Sequence, residues 1–462
     1  MNNFKKKYFG DRAFYTYALS LALPMIIQNL ITNFVSMLDN IMVGQVGTMQ
    51  MSGVSIINQF VFVFNITVFG AVSGASIFGT QFYGKGDYEG QRYSMRFRLI
   101  LSALMIVIFA LVLMIFETPL INLFLSKDDS PEAIAATLGY GKDYLHVIVW
   151  SFIPFGIGQA YSSVVREIGE TKIPMIGSLA AIGINLVLDY GLIFGKLGMP
   201  CMGVAGAALA TVIAKCIEAA VVIVWAHTHK EKNQYIRGLY KSFYVPPKLA
   251  REMFIKGCPL LANEFLWSFG MSVIAQCYSV RGIDVVAARN IASTLTNLFN
   301  VVFVQMGGCL GLMVGLKLGE GDLTGARDTD NKMIMLSLVL TLILTVLMVP
   351  FAFFFPSIYN TEENVKSLAT YFILISAIAM PIWSYTNSAY FTLRSGGKTG
   401  VTFAFDFGFT WFIMIPLAFI LTNFTGMDIH GVFAIVTMSE LIKVVIGYFM
   451  VKSDMWVENI VG

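Results

Sequence analysis

Apolar runs long enough to cross a bilayer, about 20 residues each, recur along the whole chain and are separated by short segments rich in Gly, Pro and charge. The windows lie near residues 14–46, 51–78, 94–116, 137–161, 173–194, 203–226, 253–279, 285–316, 333–355, 367–392, 399–421 and 430–451. Such runs close their backbone hydrogen bonds internally only as helices, because hydrocarbon offers no partners. The pattern predicts an all-α membrane protein with twelve transmembrane helices.

The chain also repeats itself. At an offset of 235 residues Pro24 pairs with Pro259, Gly47 with Gly282, and Gly84, Gly86, Asp87, Gly90 and Arg92 with Gly319, Gly321, Asp322, Gly325 and Arg327. The offset then shortens to 228 for Arg166, Gly169 and Thr171 against Arg394, Gly397 and Thr399, and to 225 for Met202 and Gly206 against Met427 and Gly431. Each half therefore holds six spans in one order, and an even number makes the halves parallel repeats with a cavity expected near the midplane. We expect two pseudo-symmetric six-helix bundles, 1–228 and 253–462, joined by a connector at 229–252. Most of the 31 Lys and Arg fall in one set of alternate segments, beginning with Lys5, Lys6, Lys7 and Arg12. Only Lys127, Lys142, Lys196, Arg281, Arg289 and Lys366 fall on the other side, so the positive-inside rule puts both termini in the cytoplasm.

Composition agrees with a bilayer environment, since 56% of residues are hydrophobic and 13% charged, against about 25% charged in soluble chains. The basic N-terminus runs into an apolar stretch with no short core and small-residue cleavage site, so no removable signal peptide is expected. Cys201, Cys216, Cys258, Cys277 and Cys309 form no CxxC and suggest neither disulfides nor a metal site. The net charge of +3 is explained by the loop asymmetry without nucleic acid.

Candidate chemistry is confined to ionisable and polar residues within spans, where a charge costs about 2.5–17 kcal/mol at the bilayer centre. In the first span Gln28, Asn29, Thr32, Asn33, Ser36, Asp39 and Asn40 fall within roughly 140° of helical arc. The neutral members either glue helices together or line a site, while Asp39 is the stronger functional candidate. In the fifth span Asn185 and Asp189 share one face. Asn185 could bond either acid, and two carboxylates close together would share a proton, making a candidate coupling-ion site; alternatively Asp189 lies at the outer water boundary. Glu264, Ser268, Ser272 and Gln276 form a polar stripe in the seventh span, and Asp406 is either functional or a helix-start anion. Lys215 with Glu218, and Glu440 with Lys443, read as mutually neutralising structural pairs. GKGD at 84–87 and GEGD at 319–322 lie in basic loops and are turns. His227 and His229 are expected on a solvated helix end, and the chain lacks a GxxxxGK[ST] phosphate loop. The 25 Met and 14% aromatics serve packing and also suit a pocket for apolar cations.

The segments LPMIIQNLITNFVSMLDNIMVGQVG, SGASIFGTQFYGKGD, REIGETKIPM, NLVLDYGLIFG, GVAGAALAT and PLLANEFLWSFG together resemble the multidrug and toxic compound extrusion (MATE) transporters, from about Leu19 to Lys452. The resemblance implies a monomeric antiporter in the cytoplasmic membrane that exports organic cations and drugs against H⁺ or Na⁺, with no other cofactor. Its partners would be those substrates and membrane lipid, not nucleic acid. It assigns the coupling ion to Asp39, Asn185 and Asp189, which could also hold Na⁺, and a seventh-helix acid to Glu264. The substrate cavity is expected around Glu264, Gln28, Asn33, Ser268 and Asp406. Sodium-type members also use an acid in the tenth helix; residues 367–392 contain none, which favours H⁺. A major-facilitator-type carrier would not require the Asp39, Asn185 and Asp189 set. A lipid-linked saccharide flippase would need a cationic cavity cluster, which this sequence lacks, and no catalytic constellation for an enzyme is present.

Overall fold

The computed structural model describes residues 6–125 and 130–462, without the side chains of Ser36, Met37, Leu38, Asn40 and Ile41. Lys5, Lys127 and the side chains of Ser36 and Asn40, part of the expected basic and polar patterns, lie outside the described residues. About 85% of the chain is helical and, among the described residues, there is no strand. Among the described residues, twelve helices are long and apolar enough to cross a membrane. The first helix is Arg12–Gly44, followed by spans Thr48–Lys85, Tyr88–Ile115, Pro131–Glu167, Lys172–Phe194 and Val204–Thr228. The second half holds Pro247–Ser279, Ile283–Gly319, Leu323–Ile358, Glu363–Ser395, Thr399–Asn423 and Ile429–Lys452.

The chain separates into two compact units, one of residues 27–79 and 87–257, the other of 80–86 and 258–462 together with the residues up to Ile26. The first unit is built around Ile57, Phe64, Val68, Leu145, Phe152 and Ala208, with Phe64 stacked on Phe152 at 3.9 Å between ring centroids. Ile274, Ala288, Phe372, Ile373, Met380 and Val432 centre the other. Their apolar side chains mesh as in any close-packed interior, whereas Leu111, Val224, Val346 and Phe412 remain exposed on helix faces suited to lipid.

The repeat is visible in backbone geometry. Gly86 and Gly321 have φ of +77° and +78°, a left-handed conformation that glycine adopts without a Cβ clash. The next residue in each, Asp87 or Asp322, caps the following span by accepting from the N–H of Gly90 or Gly325, both at 2.8 Å. These are the GKGD and GEGD segments, turns as the sequence suggests. The Gly325 N–H and Thr324 hydroxyl hold the Asp322 carboxyl below the usual carboxylate range. Its capping contribution is therefore present above its unfolded pKa and lost as pH falls through the lower folded value. Gly84 and Gly319 also permit close helix approach: a Cβ would stand 2.2 Å from the Leu316 carbonyl oxygen in one case and 2.1 Å from that of Gln81 in the other.

Two segments between or after spans are more ordered than their polar composition suggests. In the connector Tyr235 and Leu239 are fully buried. Arg92 donates to the Tyr235 carbonyl at 3.2 Å, and Arg96 donates to the carbonyls of Leu239 at 2.9 Å, Gly238 at 2.8 Å and Tyr244 at 3.1 Å. His227, expected on a solvated face, is instead half-buried and bonded to the Tyr161 hydroxyl at 3.0 Å; His229 is exposed as expected. Beyond the twelfth span Trp456 is buried, and the Gln81 side chain accepts from Ile460 N–H at 2.8 Å while donating to the Ser395 carbonyl at 3.0 Å.

The third and fourth spans carry a buried ion pair at Arg98 and Glu167, 2.8 Å apart with side chains 0% and 2% exposed. Ser76 donates to Glu167 at 2.6 Å, and Arg98 donates to the Ser163 and Ser94 hydroxyls. The fourth helix thus runs past 161, the end expected from apolar character, because Glu167 meets its counter-charge inside the unit. Removing one partner of such a pair leaves an uncompensated buried charge, at a cost of about 3–5 kcal/mol. Arg98→Met should accordingly lower the thermal unfolding midpoint in detergent markedly, and Arg98→Met with Glu167→Met should recover much of the loss. A single variant as stable as the parent would show that the pair carries no such weight.

Candidate functional site

The first and fifth spans bring Asp39 and Asp189 together, with their carboxyl groups within hydrogen-bonding reach of one another. Asp189 is 2% exposed and Asn185, one turn earlier on the same helix face, is 5% exposed. One oxygen of each carboxyl, Asp39 Oδ1 and Asp189 Oδ1, is buried without a hydrogen-bond partner, as is Asn185 Nδ2. The expected bond from Asn185 to either acid is therefore not made. Asp189 is enclosed in the unit rather than placed at a water boundary. Tyr144 of the fourth span stands beside both acids and donates to Asn58 Oδ1 of the second span at 3.1 Å. The Lys215 ammonium is near enough to act electrostatically on Asp39.

Lys215 begins a polar chain through the same unit. Its Nζ donates to Glu218 at 2.8 Å, the expected pair. Ser178 Oγ donates to the other oxygen of Glu218, Gln28 Nε2 donates to Ser178 at 2.7 Å, and Arg166 donates to Gln28 Oε1 at 3.1 Å. Gln28 is thus held within this network, bonded on both ends of its amide. Asn33 is exposed and its neighbour Thr32 bonds back to the Gln28 carbonyl at 2.8 Å.

The second half builds a related chain from repeat-equivalent positions. Asn263, 235 residues after Gln28, donates to Asp406 Oδ2 at 2.9 Å. Asp406 stands 228 residues after Ser178 and is ion-paired with Lys443, the counterpart of Glu218 at 225. Glu440 is the counterpart of Lys215 and Arg394 that of Arg166. The expected Glu440–Lys443 neutralisation needs correcting, because Lys443 bonds Asp406 and acts on Glu440 only through space. Nor is Asp406 a helix-start anion: its helix begins at Thr399 and has no acid in the first turn. Glu264 is half-buried and feels both the Arg394 guanidinium and the Asp406 carboxylate. Ser268 accepts at its carbonyl from the Ser272 hydroxyl at 3.2 Å.

Arg166, Ser178, Tyr144 and Asn58 were not singled out as site residues by sequence. A charge at the end of a span, like Arg166, was the one legible signal; a Tyr or Ser in an apolar helix carries none.

Candidate spans with carboxylates in their interior define a polytopic membrane protein. A profile of the MatE family matches residues 24–191 and 259–420, and the chain belongs to that family. It is 26% identical over 425 residues to the probable multidrug resistance protein NorM of Thermotoga maritima, covering 89% of this chain and 87% of that protein. It is also 26% identical over 405 residues to the multidrug resistance protein NorM of Vibrio cholerae, covering 87% and 86%. Among solved structures the fold matches an outward-facing multidrug resistance MATE transporter of the MOP superfamily, with a TM-score of 0.84 and 18% identity over 95% of both chains. It also matches a MOP superfamily transporter from Pyrococcus furiosus, described as having a binding pocket of reverse polarity, at 0.79 and 17% over 95% of both chains.

Ser178 is the node of the first-unit chain, so its removal leaves the Gln28 amide and a Glu218 oxygen without a partner. A buried group left unsatisfied costs about 1–3 kcal/mol. Ser178→Ala should lower detergent stability by about that amount in chemical unfolding, while Ser178→Thr, which keeps the hydroxyl, should lose less; equal losses would place the effect in packing instead.

Proposed function

We propose that this protein is a cation-coupled multidrug antiporter, exporting organic cations and other drugs across the cytoplasmic membrane in exchange for H⁺, with Na⁺ the alternative coupling ion. The observation that carries the reading is the meeting of Asp39 and Asp189 in the interior of their unit with a carboxyl oxygen of each unpartnered. Two carboxylates so placed repel unless a positive charge joins them. A proton shared between them removes one charge and supplies the donor that their approach requires. Carboxylate oxygens with the amide of Asn185 also offer the hard oxygen ligands that a small cation takes, which keeps Na⁺ open. The names of the relatives, multidrug resistance proteins, support export of varied small molecules.

Coupling follows from differential affinity. A proton on the Asp39–Asp189 pair changes the packing of the first and fifth spans, and the substrate-holding state is favoured by the ionised pair. Exchange is driven only if the two states differ in affinity for both ligands, so substrate and proton compete without touching. Glu264 in the second half draws the organic cation, and Lys215 with its Glu218 partner steadies the pair's charge from the side. Both termini are then cytoplasmic, with the basic loops on that side, and the working unit is a monomer in lipid.

Asp39→Asn keeps shape and hydrogen bonding but cannot release a proton or balance a cation. Proteoliposomes with this variant should lose coupled export of a fluorescent cation by more than about tenfold, one factor of ten being about 1.4 kcal/mol, at normal expression and stability. Asp189→Asn should do the same, and the double variant should be no worse than either single one, since one cluster fails as a unit. Imposing ΔpH and ΔNa⁺ separately on the parent identifies the ion. Full export by a well-folded Asp39→Asn protein would remove the carboxyl pair from the coupling mechanism.

A further inference from the structure

The two polar chains differ at one point with a chemical consequence. In the first half the residue between the amide and the ion pair is the neutral Ser178; in the second half it is Asp406. That additional carboxylate draws Lys443 away from Glu440, and Glu440 Oε2 is left buried without a partner, as is Asn263 Oδ1 on a side chain 3% exposed. The groups that act on one another here are Glu264, Asp406 and Glu440 on the acidic side and Arg394 and Lys443 on the basic side. Counted as ionised, three carboxylates face two cations, and a single negative charge is unmatched.

The helices carrying this cluster are interrupted where their first-half counterparts are not. The eleventh span passes through a π-helical segment at Thr410–Met414, which starts one turn after Asp406, and the twelfth breaks at Ser439, directly before Glu440. The fifth and sixth helices run uninterrupted as Lys172–Phe194 and Val204–Thr228. π-Segments and broken spans concentrate at functional sites, because freed backbone groups and widened turns serve a ligand rather than the fold. Lys443 itself is 7% exposed, with its ammonium 5.2 Å from the Phe405 ring centroid and 5.8 Å from that of Phe409. It is a tethered cation that cannot leave the cluster.

We propose that Lys443 sets the valence of the substrate: as a resident cation beside Asp406 and Glu440 it leaves this cluster one negative charge, enough for a monovalent organic cation and not for a divalent one. The inference deepens the reading of Glu264 as the cation-attracting acid and rests on it. The repeat supports the assignment, since the equivalent helical position in the first half holds an acid, Glu218, paired in the reverse sense with Lys215. Packing at that turn therefore accepts either sign, and the sign chosen is free to serve the ligand. An uncompensated charge in a low-dielectric interior is costly, so the site prefers the ligand charge that brings its own count to zero.

The test compares binding of tetraphenylphosphonium, a monocation, with that of an alkane-linked bis(triphenylphosphonium) dication to the purified full-length protein by titration calorimetry. The parent should favour the monocation. Lys443→Gln leaves two negative charges unmatched and should raise the dication-to-monocation affinity ratio by about tenfold or more, the scale of a close charge pair across a binding site. Adding Glu440→Gln restores the count and should return the ratio to that of the parent. Asp406→Ser, which installs the residue already present in the first half, leaves two acids against two cations and should weaken both ligands. An unchanged ratio in Lys443→Gln, or parental monocation affinity in Asp406→Ser, overturns the valence role provided that Glu264→Gln still weakens the monocation in the parent. If Glu264→Gln leaves both ligands unaffected, the second-half cation reading fails, and this inference with it.

Discussion

A charge placed among apolar helices must find its opposite there, because the surroundings offer neither water nor a high dielectric. That requirement organises the polar interior of this protein. Arg98 is brought to Glu167, Lys215 to Glu218, and Lys443 to Asp406, and Ser or amide groups take up many of the remaining hydrogen bonds. The fourth span continues to Glu167, past where its apolar run fades, and there its carboxylate meets Arg98. Asp39 and Asp189 break the pattern, since the group each carboxyl reaches by hydrogen bond is the other acid. Two carboxylates turned together in the interior of their unit stand apart from these ion pairs, and that contrast is the basis of the proposed coupling site.

The duplication sets the framework in which this happens and also records where the halves have diverged. Turn geometry is kept almost unchanged, as the paired glycines and aspartate caps show. Those positions answer to backbone sterics, which are the same in both halves. The polar chains follow equivalent helix positions but exchange charge signs and replace Ser178 by Asp406. A repeat in which the turns are kept while the charges are redistributed gives the two units chemically different interiors, on which the proposed division between coupling ion and substrate rests. The broken eleventh and twelfth spans fit that division, because irregular backbone in a membrane protein is tolerated where it lines a site or is buried in protein.

Much of this was legible before any coordinates. Twelve spans, the duplication, the glycine turns of the loops and the candidates Asp39, Asn185, Asp189 and Glu264 follow from spacing, periodicity and the cost of charge in hydrocarbon, which can be read along the chain without tertiary contacts. The identity of partners did not follow. Glu440 and Lys443 are three residues apart and make a sound pair on paper, yet Lys443 bonds Asp406, 37 residues away. His227 looked solvated until the connector folded over it, and Gln28 looked like one of seven polar residues until Ser178 and Arg166 met its two ends. Helical spacing determines which residues share a face, and that is all a one-dimensional pattern contains. Which face meets which depends on side-chain packing between helices distant in sequence, so the choice of counter-charge, and with it the location of the unmatched one, belongs to the tertiary structure alone.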